Sequence, residues 1–437
     1  MKTKVSAAIL TIASLALGAC SGTDDGGPTK DPTKTPIGPV KMKDISTKLP
    51  ESTDSLPPKL LPADTAESAV DLEAASLLIS TKMASEFSKP GSNIWFSAAS
   101  AQQALAMLAD GADEATGRAL ADYYSGKDAK PGVAGLFEAI KSLQSGFAGG
   151  DSDQGGVRFG AAYFINEDAA AGHIDPDKVA KFAKAIGGHV AQGDPDKLNE
   201  AGSAWAKLVT AGLIPNLPIE FDGNTTFALA SSIYARGAWS GDKPEVTLYD
   251  FTSDQGKKSE VKGLRFKSSN VTAYRVARGY IVRAQSHGPA FELFLPDEGV
   301  DPASLTPKDW AYDVNDEVYA TAVIPTLNVT SKLDLTEKAS AIGMPDISKG
   351  TYPGFVVDGD SLRPELMVQD AALVVDKNGY AAAAVTVIAE VRAAPGSDKK
   401  PIDIVFDRPF AARIHSYSPD WTLFYGVIND AAAAQHG

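Results

Sequence analysis

The sequence predicts one large α+β domain over residues 67–431, carried on a secretion leader and a flexible tether. Three observations predict it. The only cysteine among 437 residues, Cys20, closes a short apolar run at the N-terminus. A proline-rich stretch follows. From about Glu67 onward, helix-like and strand-like hydrophobic patterns alternate with no second linker and no internal repeat.

The leader comes first. Lys2 and Lys4 precede an apolar run from Val5 to Leu17, too short to span a bilayer as a stable helix, so residues 1–19 read as a signal peptide. Leu17-Gly18-Ala19-Cys20 resembles the bacterial lipobox, in which the cysteine becomes the lipidated N-terminus. Ser21, where an Asp would signal inner-membrane retention, favours the outer membrane or cell surface. A single cysteine also excludes an intramolecular disulfide and a thiolate zinc site.

Residues 20–66 form the tether. Eight of the 27 prolines fall there among Gly, Ser, Thr, Asp and Lys. Such a stretch buries too little apolar surface to offset the entropy of ordering it. A flexible chain of this length averages about 35–40 Å end to end.

The domain opens with a helical stripe of Leu72, Leu77, Leu78, Met83 and Phe87, stopped by Lys89-Pro90-Gly91. Ala101, Ala104, Leu105 and Leu108 follow a Ser cap at helical spacing. Strands are predicted at 157–165, 227–235 and 290–295. Asp113-Glu114 reads as a solvated turn, and the Gly-rich 146–156 as a surface loop without phosphate-binding spacing.

Composition and motifs narrow the function. A net charge of −14 argues against nucleic-acid binding, which needs clustered Lys and Arg. The five histidines form no HExxH and no pair at helical spacing, so neither metal nor cofactor is assigned. No GxSxG elbow appears, and no SxxK precedes a long helix. No residue is assigned as catalytic: if this protein takes part in chemistry, it does so as a substrate.

One segment resists simple reading. Ala372-Leu373-Val374-Val375 suits a buried strand, and Asn378-Gly379 is the strongest short hairpin signal. The four alanines at 381–384 are poor strand formers and good helix formers. A partner strand and a helix start both remain open.

Four ordered segments resemble the serpin family across nearly the whole domain. The first contains Phe96-Ser97-Ala98-Ala99-Ser100, with Ala98 where the family usually has Pro. The second has Asn199, Trp205 and Thr210-x-Gly212-Leu213-Ile214, then Ser232 to Trp239, with Ser231 where an Asn is frequent. The third has Val323-Ile324-Pro325, Leu333-Asp334-Leu335 and Ala341-Ile342-Gly343-Met344. The fourth runs from Leu373 to Asn429 through Phe406-Asp407-Arg408-Pro409-Phe410.

The resemblance implies three β-sheets, eight or nine helices and an exposed reactive-centre loop at about 379–401. Ser97, Ser100, Ser231, Gln369 and Trp239 would be structural residues of the main sheet's shutter and breach. Gln369 stands where many members have His, and its amide can also donate and accept. Gly379, Tyr380, Ala381, Ala382, Ala383 and Ala384 would be the hinge. A serine or cysteine protease attacks such a loop, which then inserts into the main sheet and traps the acyl-enzyme. The partners implied are that protease and a membrane through Cys20, with the chain monomeric. The alternative is a non-inhibitory surface binding protein, because a bulky Tyr380 pointing into the sheet would obstruct insertion.

Two registers place the reactive bond. Matching Asp376-Lys377-Asn378-Gly379 to the family hinge without a gap gives Ala393-Ala394, with Tyr380 and Glu390 facing inward. A one-residue slip sends both to solvent and gives Arg392-Ala393. Side-chain burial favours the slip.

Overall fold

The computed structural model describes residues 72–126, 131–145, 155–170, 172–382 and 401–435, and the backbone of Val5–Ile9. Cys20, the tether, most of the Gly-rich loop, Ala383, Ala384, Arg392, Ala393 and Ala394 lie outside the described residues. Three sheets of eight, seven and four strands and eight α-helices make up the described part.

The main sheet is built on Phe227–Trp239, which pairs antiparallel along its length with Gly155–Asn166. Alternate residues of Phe227–Trp239 enter different cores, as the strand period of two requires. Phe227, Leu229 and Ile233 join the large core, while Ala228 and Ala230 face the helix Pro195–Val209. That helix starts on Asp194, which accepts from Lys197 N, with Pro195 in its first turn. It lays Leu198, Trp205, Ala206 and Val209 across the sheet, as Asn199 and Trp205 led the sequence to expect.

The helix Ala98–Asp110 packs under the other face. Ser97 caps it, accepting from Ser100 N, and Gly111 closes it. The strands Phe410–Tyr417 and Asp420–Ile428 of the seven-stranded sheet lie beyond, almost wholly buried, with Arg413, His415, Ser416 and Thr422 among their buried residues.

Two sequence expectations change in detail. In Leu72–Phe87 the residues Leu72, Leu77 and Met83 are buried, but Leu78 is 46% exposed. One residue on from Leu77 is about 100° around the helix, and that step carries Leu78 out of the buried face. Asp113 is not a loose turn residue. It caps the helix Glu114–Ser125, accepting from Thr116 N, and these bonds hold its carboxyl below the usual range.

Candidate functional site

The two central strands of the main sheet, Phe227–Trp239 and Leu362–Asp376, do not pair with one another. Between them runs a slot. Its upper end holds Gly379–Ala382, antiparallel to both. Its lower end holds the backbone of Val5–Ile9, parallel to both, with Val5 beside Leu362 and Ala7 beside Phe227. In the middle, residues 230–234 and 368–372 face one another with no described strand between them.

A cavity of about 60 Å³ sits at this middle, bordered by Ser100, Trp205, Ser231, Gln369 and Asp370. Four residues singled out by sequence meet here in one hydrogen-bonded chain. Ser97 N donates to Gln369 Oε1 at 2.7 Å, and Gln369 Nε2 donates to Ser97 O at 2.8 Å. Ser97 Oγ donates to Leu423 O at 2.7 Å. Ser231 Oγ donates to Ser100 O at 2.8 Å, which leaves the Ser100 hydroxyl to donate to Ser231 Oγ at 3.0 Å. The start of one helix thus ties both edges of the slot. Gln369 supplies both a donor and an acceptor, as its amide allows.

Sequence missed the neighbour of Gln369. Asp370 points to the opposite face, and its Oδ1 has no hydrogen-bond partner among the described residues. Burial pushes its carboxyl up to about 6, and Lys332, opposite it on Leu327–Asp334, pulls the other way.

The upper end is of another kind. Trp239 ends its strand with Nε1 donating to Asp376 O at 2.8 Å. Its ring stands edge-on to Phe266 at 5.1 Å and tilted to Tyr380 at 5.9 Å. Tyr380 is fully buried, stacked on Phe291 at 5.3 Å, with its hydroxyl donating to Pro289 O. Burial pushes that phenol far above its usual range, so it stays a donor.

One premise of the slipped register does not hold, while both candidate bonds lie outside the described residues. The slip would send Tyr380 to solvent, yet the side chain faces inward. Asp376 pairs with Gly379 and Val375 with Tyr380 without an inserted residue, so the Asn378-Gly379 turn fixes the phase. Two glycines allow it. A Cβ on Gly379 would lie 2.0 Å from Gly237 O, and one on Gly237 would lie 2.5 Å from the Tyr380 ring. Gly379–Ala382 pairs on both sides with Tyr380 in place. For Ala381 and Ala382 the partner-strand reading holds; packing overrides their helix propensity.

A buried charge cluster lies beneath, also missed. Glu292 is fully buried between Arg413 at 2.8 Å and Arg283 at 3.2 Å, and accepts from Tyr417 and Tyr312. Burial alone would raise its carboxyl, but the two guanidiniums hold it well below the usual range. Glu73, His415 and Asp420 adjoin it. The carboxylates address opposite imidazole nitrogens, and Glu73 already accepts from Arg413 and Thr422, which is an ion-pair arrangement.

A family model described as serpin (serine protease inhibitor) matches residues 75–431. Alpha-1-antiproteinase F of Cavia porcellus is 25% identical over 54% of this chain and 60% of its own length. The chain thus spans about three-fifths of the first curated relatives it matches. Serpin-Z3 of Arabidopsis thaliana is 23% identical over 78% of this chain and 92% of its own length. Among solved structures, the thermophilic serpin tengpin in its native state aligns with a TM-score of 0.66 at 16% identity, covering 84% of this chain and 96% of that one. That likeness carries the fold.

Proposed function

The chain belongs to the serpin family, and from that premise we propose that it inhibits serine, or cysteine, endopeptidases as a suicide substrate. The observation that carries the reading is the seated hinge. Gly379–Ala382 already forms a strand between the two parted central strands, so the sheet admits the start of the loop. Protease attack forms an acyl-enzyme, and cleavage frees the loop to extend the strand downward. About fourteen inserted residues at the usual strand rise span roughly 46 Å, which carries the bound protease across the domain and distorts its oxyanion hole.

The inward Tyr380 supports the unslipped register, and with it Ala393-Ala394 and an elastase-like target. We place the chain on a lipid anchor at Cys20 after removal of residues 1–19, held off an outer membrane or cell surface by the tether and acting as a monomer. Removal of that leader would also vacate the lower end of the slot. Cys20→Ser should release the protein from membranes into the soluble fraction without changing its melting temperature.

Incubation with elastase-like and trypsin-like proteases tests the inhibitory reading. A covalent complex with the elastase-like enzyme that survives boiling in detergent, and that persists in Arg392→Ala, is the expected result. Cleavage without any complex would replace inhibition with a surface binding role. A complex confined to trypsin-like enzymes and abolished by Arg392→Ala would move the bond to Arg392-Ala393.

A further inference from the structure

We propose that Tyr380 is a latch, a positioning residue that holds the hinge seated in the intact chain and makes its entry into the sheet hard to reverse. The argument starts from what surrounds the ring. Phe291 stacks on one side with its plane 20° from that of Tyr380. Trp239 closes another side, and the absence of a side chain at Gly237 leaves room for the ring to lie against the main sheet. Phe291 belongs to the strand Ala290–Pro296 of the seven-stranded sheet, and Pro289, which takes the hydroxyl hydrogen, leads into that strand. A single side chain therefore fastens the hinge to two sheets.

The turn before it is fastened as well. Trp239 N donates to Asn378 O at 3.2 Å, Asn378 N donates to Asp376 Oδ1 at 2.7 Å, and Lys243 Nζ donates to Asn378 Oδ1 at 3.1 Å. With the turn and the ring both held, Ala381 and Ala382 keep their pairing to Arg236 and Ala235 although methyl groups alone contribute little packing. A small residue at 380 would let the hinge enter and leave with only backbone bonds to make and break. Withdrawing Tyr380 exposes a buried aromatic ring and takes from the Pro289 carbonyl one of its two donors, Ser286 Oγ at 3.0 Å being the other, so the large cost lies on the way out. The intervening segment is then bounded by Ala382 on one side and, on the other, by Ile402, paired with Ala320 in the four-stranded sheet.

The latch stands on the described residues alone; its consequence for inhibition rests on the reading above. Hydrogen exchange by mass spectrometry on the full chain separates the two, using Tyr380→Ala, Tyr380→Phe and the unaltered protein. Tyr380→Ala should lose about 100-fold of its amide protection over 379–382 and the facing ends of the central strands, while Phe410–Tyr417 and Asp420–Ile428 keep theirs. Tyr380→Phe, which retains the ring, should stay within several-fold of the unaltered protein. Unchanged protection at 379–382 in Tyr380→Ala overturns the latch, and so does a loss spread evenly over all three sheets. The same proteins are then given an elastase-like protease. A rise in the fraction cleaved without complex in Tyr380→Ala extends the latch to the insertion step, and an unchanged fraction denies that extension. If none of the three forms a complex, the inhibitory reading falls, while the exchange result still decides the latch.

Discussion

The top and the middle of the described slot are held by different chemistry. At the top, Trp239, Tyr380 and Phe291 fill the space with rings, and the strand between the edges is already in place. In the middle the edges stand apart, joined through Ser97, Ser100, Ser231 and Gln369, with a cavity beside an Asp370 carboxyl oxygen that has no partner among the described residues. Apolar packing is lost all at once when a ring is withdrawn. Hydrogen bonds exchange among partners at a net cost of about 1 kcal/mol each. A fold that must open along one line without coming apart uses the first to hold the start of the seam and the second where the edges have to part.

The largest expected effect completes the contrast by filling the middle. Residues 230–234 and 368–372 offer ten unpaired edge positions. If roughly one net hydrogen bond of about 1 kcal/mol forms per position, insertion gains on the order of 10 kcal/mol. At about 2.1 cal/mol/K of unfolding entropy per residue, a domain spanning residues 67–431 shifts by roughly 1.3 °C per kcal/mol, so cleavage between 385 and 400 should raise the melting temperature by on the order of 10 °C. Calorimetry of intact and cleaved protein, with cleavage confirmed by mass, measures it. Equal melting temperatures would mean that the middle of the slot does not accept a strand.

Next in size is Tyr380→Ala, which empties the upper end. Removing a buried aromatic side chain typically costs about 3–5 kcal/mol, and here the hinge can leave the sheet and relieve part of it, so about 3 kcal/mol is expected. Urea unfolding should show that loss with an unchanged slope. A loss below about 1 kcal/mol would mean that the ring packs no better in the sheet than outside it.

How much of this contrast was readable from sequence differs between the top and the middle. The middle was readable through the family resemblance, which alone singled out Ser97, Ser100, Ser231 and Gln369; the local pattern by itself reached only the serine cap at the start of the helix. The top was only half readable. Asn378-Gly379 announced the turn, but the direction of Tyr380 depends on whether a ring-shaped space exists, and that space is made by Gly237, Pro289 and Phe291 from distant parts of the chain. Alternation offers two phases and no local means of choosing, so weighing Tyr380 as a bulky residue chose the wrong one. Glu292 and Arg413 were unreadable for a similar reason: a buried ion pair between strands more than a hundred residues apart leaves no spacing to detect.

Gln369→Leu sharpens the account of the middle. Leucine keeps the volume but orphans the backbone N–H of Ser97 and leaves its carbonyl with Ala101 N as donor. A buried unsatisfied group costs about 1–3 kcal/mol, so a loss of about 1–3 kcal/mol is expected, less if water enters the cavity. Because the same network joins the slot's edges, cleaved Gln369→Leu should keep most of the stabilisation that cleavage brings. A variant that gains nothing on cleavage would show that the network guides insertion rather than merely closing the sheet.

The smallest effect is the one whose sign depends on pH. In the unfolded chain the Asp370 carboxyl titrates near 3.8, and burial raises it to about 6 in the fold. The folded protein therefore binds more protons than the unfolded one between those values, and stability falls as pH rises through that window. Below about 3.8 both states are protonated and the penalty vanishes; above about 6 it is fully present and constant. Asp370→Asn removes the titration and keeps the shape. The rise to about 6 is already net of the attraction of Lys332, so about 1–3 kcal/mol of added stability is expected at pH 8 and almost none at pH 4. Lys332→Met supplies the opposite arm. Without that cation the carboxyl should titrate higher still, and stability should fall further between pH 4 and 8 than in the unaltered chain. Melting temperatures of the three proteins at half-unit steps of pH decide the matter. A difference between Asp370→Asn and the unaltered protein that stays constant across the range would mean that Asp370 reaches solvent through the cavity, and that the middle of the slot is wet.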